Sequence, residues 1–140
     1  MSIHCISPDP PQAGPGTGTL LGVWAHPDDE AYLSAGLMAR ARRAGLRVVV
    51  ATASRGEHGT SDPDTWPPHR LGPVRERELS ESLAAVGVTE HHWLGHRDGE
   101  LDRQPADVGA AQVAELIELV RPRTIVTFGP DGMTGHPDHR

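Results

Sequence analysis

From Thr19 onward, apolar and polar positions fall into alternating blocks of two different periods. Thr19-Leu-Leu-Gly-Val-Trp24 is a short apolar run of the length of a buried strand. Ala31 to Ala44 reads as a helix with Gly45 as its stop, and Leu46-Arg-Val-Val-Val-Ala-Thr52 follows as a β-branched strand. Strand, helix and strand in that order make a βαβ unit, which implies a parallel pair. Pro73 is expected to open a second helix, in which Leu79, Leu83 and Val86 fall at i, i+4 and i+7 before Gly87 ends it. A short strand over His91 to Leu94 comes next. In the third helix Val113, Leu116, Ile117 and Val120 give i, i+3, i+4 and i+7, and Pro122 forbids its continuation. Thr124-Ile-Val-Thr-Phe128 closes the series as a strand of buried type. The fold expected is α/β: a Rossmann-like parallel sheet with helices on both faces, about four strands and three helices, ending after the loop of the fourth strand.

The segments between these blocks divide the chain by character. Residues 1–18 hold Pro8, Pro10, Pro11 and Pro15 among glycines, with little apolar content, which predicts a disordered lead-in to a domain over 19–140. Ser54 to Arg70 is too rich in Gly, Pro and Asp to be regular, and at that length a loop is commonly functional or disordered. Gly95 to Gly99 and Gly129 to Arg140 are polar loops that again follow strands. The histidines, acids and arginines are gathered in strand-exit loops, where an open α/β sheet places its chemistry.

Composition narrows the classes. A length of 140 residues with 36% apolar content suits one domain, and a net charge of −6 without long basic runs argues against nucleic acid as a partner. Arg40, Arg42, Arg43 and Arg47 cluster where the first helix ends, and there they complement the helix dipole. Cys5 is the sole cysteine, so neither an intrachain disulfide nor a thiolate metal site can form. No apolar stretch reaches the roughly 20 residues that span a bilayer, and no secretion signal opens the chain. The expectation is a soluble cytoplasmic protein without a membrane partner. Nine histidines exceed what packing needs.

Two clusters carry the candidate chemistry: Ala25-His-Pro-Asp-Asp-Glu30 after the first strand and His136-Pro-Asp-His139 after the last. Strand order in a doubly wound sheet reverses beside the first strand, so loops from the first and a later strand can flank one crevice. Two histidines and a carboxylate from such loops would hold zinc in three positions and leave a fourth open, the pattern of a catalytic site. Asp28 and Asp29 are neighbours whose side chains diverge, so one can ligate while the other serves as general base for a metal-activated water. The same donors also make the triad of a non-haem iron oxygenase. A third reading is a non-catalytic fragment in which His26, Asp29, His136 and His139 close a structural zinc site.

At these residues the chain resembles the PIG-L or LmbE-like zinc deacetylases, from about Leu20 to its last residue. AHPDDE and the terminal GHPDH both match that family's motifs, in the family's order. The resemblance implies zinc ligated by His26, Asp29 and His139, Asp28 as general base, His136 as oxyanion stabiliser, and Asp138 as partner of His136. It implies Glu57, Arg75 and Asp98 as contacts to the substrate, an N-acetylglucosamine-type amino sugar or glycoconjugate that loses its N-acetyl group. Family members continue past the second motif with further strands and a substrate-covering segment. The expectation from this is that the loop carrying His136 and His139 lacks an anchor. The last strand would then be an exposed apolar edge, open to association into a homo-oligomer, and zinc binding and deacetylation by this chain would be weak.

Overall fold

A computed structural model describes residues 3–6 and 18–140. Five strands form one sheet: β1 (Ile3–Ile6), β2 (Thr19–Trp24), β3 (Arg47–Thr52), β4 (Glu90–Trp93) and β5 (Thr124–Phe128), in the order β1-β5-β2-β3-β4. Three helices connect them, α1 (Asp29–Arg43), α2 (Pro68–Ala85) and α3 (Ala106–Val120). The four strands from β2 to β5 are parallel, as the βαβ pattern predicts.

Side-chain alternation along the strands explains why helices cover both faces. Leu20, Trp24, Val48 and Val50 project to one side and pack with Met38 and Ala41 of α1 and with Leu79 and Leu83 of α2. Leu21, Val49 and Ala51 project to the other and meet Leu116 and Val120 of α3. Leu21, Val49 and Val50 are completely buried, and each such side chain contributes roughly 1.5–3 kcal/mol of transfer free energy. Near-continuous apolar strands are what a sheet covered on both faces requires. Gly45 and Gly87 end α1 and α2 by the same device: Leu46 and Val88 donate to the carbonyls of Ala41 and Leu83, and the glycine amides donate to Arg42 and Ala84.

Four expectations are corrected. Helix α2 begins at Pro68 and contains Pro73, so His69 and Arg70 are helical rather than part of the preceding loop. Pro67 is extended (φ −63°, ψ 155°) and Pro68 takes the first helical position, where a missing N–H costs nothing. Two adjacent prolines therefore start the helix before Pro73 can. Next, β5 is an interior strand, since it pairs in parallel with β2 and antiparallel with β1, Ile3 opposite Phe128 and Ile6 opposite Ile125. Within the stretch expected to be a disordered lead-in, Ile3–Ile6 thus form a strand, while residues 1, 2 and 7–17 lie outside the described ones.

The fourth correction concerns the terminal loop, which does have an anchor. Pro137–His139 make one 3₁₀ turn, and Asp138 reaches sideways to accept from the amides of Gly99 (2.7 Å) and Leu101 (3.1 Å). His139 stacks on Phe128 of β5, ring centroids 4.1 Å apart and planes at 15°. A neighbouring loop and β5 thus hold this one.

On β4, His91 offers a test of the packing. Its Nε2 lies 2.9 Å from Thr52 Oγ1 and its ring meets Trp93 edge-on at 4.6 Å. Burial, reinforced by His92, pushes its pKa down to about 4, against the opposing charge of Glu76. The unfolded chain then takes up this proton near pH 6.5 and the folded one only near 4, so the associated stability is complete above pH 6.5 and is lost as pH falls toward 4. Urea unfolding at pH 7 and pH 5 should show a smaller acid loss for His91→Gln than for the unsubstituted protein. Equal losses would remove His91 from the account.

Candidate metal centre

Strand β2 leads through α1 to β3 on one side, whereas α3 returns the chain to β5 on the other, so β2 and β5 are neighbours whose order reverses between them. This is the switch point of the sheet, and the loops leaving the C-terminal ends of β2 and β5 face each other there. One carries His26, Asp28 and Asp29, and the other carries His136, Asp138 and His139. They line a cleft of about 750 Å³ together with the loop after β3 and with Arg75 and Asp98.

Two imidazole nitrogens and the two oxygens of one carboxylate converge. His26 Nδ1 lies 3.2 Å from His139 Nε2, His139 Nε2 lies 3.5 Å from Asp29 Oδ1, and His26 Nδ1 lies 3.8 Å from Asp29 Oδ2. Metal–ligand bonds of roughly 2.0–2.2 Å in a tetrahedron give donor–donor edges of roughly 3.3–3.6 Å, close to each of these spacings taken singly. The carboxylate presents a different oxygen to each imidazole. His139 and Asp29 are 8% and 7% exposed, so little water competes for them.

Protonation differs between the two histidines. His26 Nε2 faces Asp98 Oδ1 at 3.0 Å and Asp138 Oδ2 at 3.2 Å. Two carboxylates there accept, so Nε2 carries a proton and Nδ1 is the ring nitrogen that faces His139 and Asp29. Burial acts to lower the His26 pKa, but the hydrogen bond and charge of Asp98, with those of Asp138 and Asp29, outweigh it and leave it raised. Burial likewise acts to raise Asp98, and the bonds from His26 and the His58 amide hold it down at about 2. His139 is pushed to about 4 by burial and by the neighbouring His26 and His136, so it is neutral, as a ligand must be. Burial lifts Asp29 above the usual carboxylate range. Two imidazole nitrogens and a carboxylate facing one another form a donor set of the kind that holds a cation, which would displace the proton that the raised pKa of His26 favours.

Asp28 diverges from Asp29, as adjacency predicts. Its backbone takes φ 104°, ψ −31°, unusual for any residue but glycine, in front of the first turn of α1. Glu30 Oε2 accepts from its amide at 3.0 Å, and Arg75 of α2 donates to its Oδ2 at 2.9 Å and to the carbonyl of Pro27. Glu30 is fully buried, its pKa raised by that burial, and Ser82 Oγ lies 3.3 Å from its Oε1. The third acid of AHPDDE, given no role from sequence, therefore braces the backbone of Asp28, the motif's first acid.

Other expected residues are brought to the site with changed partners. The carboxylate of Asp138 binds His26, Gly99 and Leu101 rather than His136, whose Nδ1 instead receives the Asp138 amide at 3.2 Å. This corrects the expected Asp138–His136 pairing, and the reason is geometric: the 3₁₀ turn aims the two side chains apart. His136 is exposed, its ring 4.7 Å from that of His26 and 5.1 Å from that of His139. Asp98 is engaged by His26 and by the His58 amide at 2.8 Å. Glu57 Oε1 accepts from the Asp98 amide at 3.1 Å, and its Oε2 is buried with no hydrogen-bond partner among the described residues. The double carboxylate clamp on His26 was not legible in the sequence. Its only signal was the presence of Asp98 in a strand-exit loop.

A doubly wound sheet with an open set of two histidines and one carboxylate at its switch point defines a class, an α/β protein built around a candidate metal centre. The chain belongs to the PIG-L family, described as GlcNAc-PI de-N-acetylase, which matches residues 21–140. It is 36% identical to the 1D-myo-inositol 2-acetamido-2-deoxy-alpha-D-glucopyranoside deacetylase of Streptomyces scabiei, over 94% of this chain and 50% of that protein. The protein of the same description from Kineococcus radiotolerans is also 36% identical, over 86% of this chain and 41% of its own length. The chain thus spans about half the length of the curated relatives it matches. Among solved structures, the N,N'-diacetylchitobiose deacetylase of Pyrococcus horikoshii superposes with a TM-score of 0.77 at 28% identity, covering 88% of this chain and 45% of that one. Among the described residues no helix is long and apolar enough to cross a membrane.

Proposed function

We propose that this protein is a zinc-dependent hydrolase that removes the N-acetyl group from an N-acetylglucosamine-type amino sugar. The observation that carries the proposal is the convergence of His26 Nδ1, His139 Nε2 and the Asp29 carboxylate at 3.2–3.8 Å, with a second, non-converging acid, Asp28, on the same cleft wall. The family match and relatives that deacetylate amino sugars support the substrate class. A zinc ion held by His26, Asp29 and His139 would supply Lewis acidity and lower the pKa of a water in its reach from 15.7 to roughly 7.

The residues of the chain divide the remaining work. Asp28, half exposed and fixed by Arg75, takes the proton from the attacking water. His136, exposed on the cleft wall, stabilises the oxyanion when protonated and returns a proton to the leaving amine as the C–N bond breaks. Asp98 and Asp138 keep His26 in its ligating tautomer. Amine release from a panel of N-acetylated amino sugars, with N-acetylated amino acids as controls, tests the reading on protein loaded with stoichiometric zinc. The expected result is release from the sugars alone. Loaded protein that releases amine from none of the sugars would sink the proposal.

A further inference from the structure

To ligate with His26 and Asp29, the ring of His139 must present Nε2 rather than Nδ1 to them. Thr134 lies on the same loop, and its Oγ1 is 2.6 Å from His139 Nδ1, the shortest side-chain contact that ring makes among the described residues. The same oxygen accepts from the amide of His136 at 3.2 Å. A threonine hydroxyl has two acceptor positions, so it can take both the His136 N–H and a proton from His139 Nδ1. With the proton on Nδ1, the lone pair of His139 lies on Nε2 and faces the other two donors. Thr134 is itself an exposed residue, so its hydroxyl is oriented by these bonds and by the turn, not by enclosure.

The turn leaves little slack. The Thr134 amide donates to the Gly132 carbonyl at 2.7 Å. Gly132 sits at φ +68°, and a Cβ there would stand 2.8 Å from the His139 carbonyl oxygen and 3.1 Å from its Cβ. The backbone of His139 is therefore packed directly on Gly132, two residues before the hydroxyl that meets its ring.

We infer that Thr134 is a positioning residue, whose hydroxyl holds His139 in the Nδ1–H tautomer and tethers His136 and His139 to one oxygen. The inference rests on the metal-centre reading above. Outer-shell partners of a metal-ligating histidine carry about 10–100-fold in affinity, so Thr134→Val, of nearly the same shape, should weaken zinc binding by that factor in a chelator competition. Thr134→Ser should restore binding to within about 3-fold. A second readout is independent of metal: the ring ¹⁵N spectrum of zinc-free protein near pH 7 should show His139 as the Nδ1–H form, giving way to the Nε2–H form in Thr134→Val. Thr134→Ala takes the place of the valine variant if that one does not fold, as judged by circular dichroism.

Unchanged affinity in the valine variant, a serine variant as weak as the valine one, or an Nε2–H tautomer in the unsubstituted protein would each overturn the inference. His139→Ala separates the two levels of the argument. If it keeps full zinc affinity, the metal-centre reading fails and the role of Thr134 fails with it. If it loses zinc while Thr134→Val binds normally, only the role of Thr134 is lost.

Discussion

His139→Ala is expected to abolish tight zinc binding, with a loss well beyond the roughly 10–100-fold of outer-shell changes, while His136→Ala leaves zinc affinity nearly intact. His139 Nε2 stands 3.2 Å from one proposed ligand and 3.5 Å from another. His136 instead spends its Nδ1 on a backbone amide and keeps its ring exposed. Three protein ligands leave the open position that catalysis needs, whereas four close the site. Because His26, His136 and His139 each bring a ring nitrogen within 4.8 Å of the others, the closed alternative has a definite signature. Zinc lost equally from His136→Ala and His139→Ala would make the centre structural. His26→Ala should also lose the metal, but less cleanly. Its Nε2 sits between Asp98 and Asp138, whose side chains are 6% and 0% exposed, and stripping a buried charge of its partner costs about 3–5 kcal/mol of stability. Metal titration by chelator competition, with thermal unfolding of each zinc-free variant alongside, separates the two losses.

Asp28→Asn is expected to retain zinc and to lose turnover by about 10²–10⁴-fold, which is about 2.7–5.4 kcal/mol in the barrier. Asparagine tolerates a positive φ better than most residues, and it keeps an acceptor oxygen for Arg75, so neither the 104° backbone nor the contact with α2 is put at risk. What it loses is the capacity to take a proton. Asp29→Asn should fail in the opposite way, with weakened zinc binding, because an anionic ligand becomes neutral. Single-turnover amine release beside zinc content decides both. An Asp28→Asn protein with near-normal turnover would exclude Asp28 as the base, and one that loses zinc as Asp29→Asn does would place both acids on the metal.

The sequence by itself determined the parts that depend on local periodicity. Apolar runs at Thr19–Trp24 and Thr124–Phe128, the β-branched run before Thr52 and the 3.6-residue spacing of Val113 to Val120 specify strands and helices through contacts each element makes on its own face. Because chemistry in an open α/β sheet sits at strand exits, the same patterns located His26, Asp28, Asp29, His136 and His139 before any packing was known. The early start of α2 was missed, though its signal, Pro67-Pro68, is local: Pro73 was the more conspicuous helix opener, and only the extended Pro67 shows which proline starts the helix.

Tertiary structure decided everything that joins distant residues. Which strand neighbours β5 depends on the whole sheet, and β2 and β1 turned an expected edge into an interior strand. The four-residue run Ile3–Ile6 is too short and too close to prolines to stand out from its surroundings until its partner β5 is in place. The clamp of Asp98 and Asp138 on His26, the bonds from Asp138 to Gly99 and Leu101, and the reach of Arg75 to Asp28 each span between 37 and 112 positions of sequence. A hydrogen bond of 2.7–3.2 Å needs its groups set to a fraction of an ångström, and no periodic pattern carries that information over such separations. The sequence thus named candidate ligands, and the fold alone brings them together.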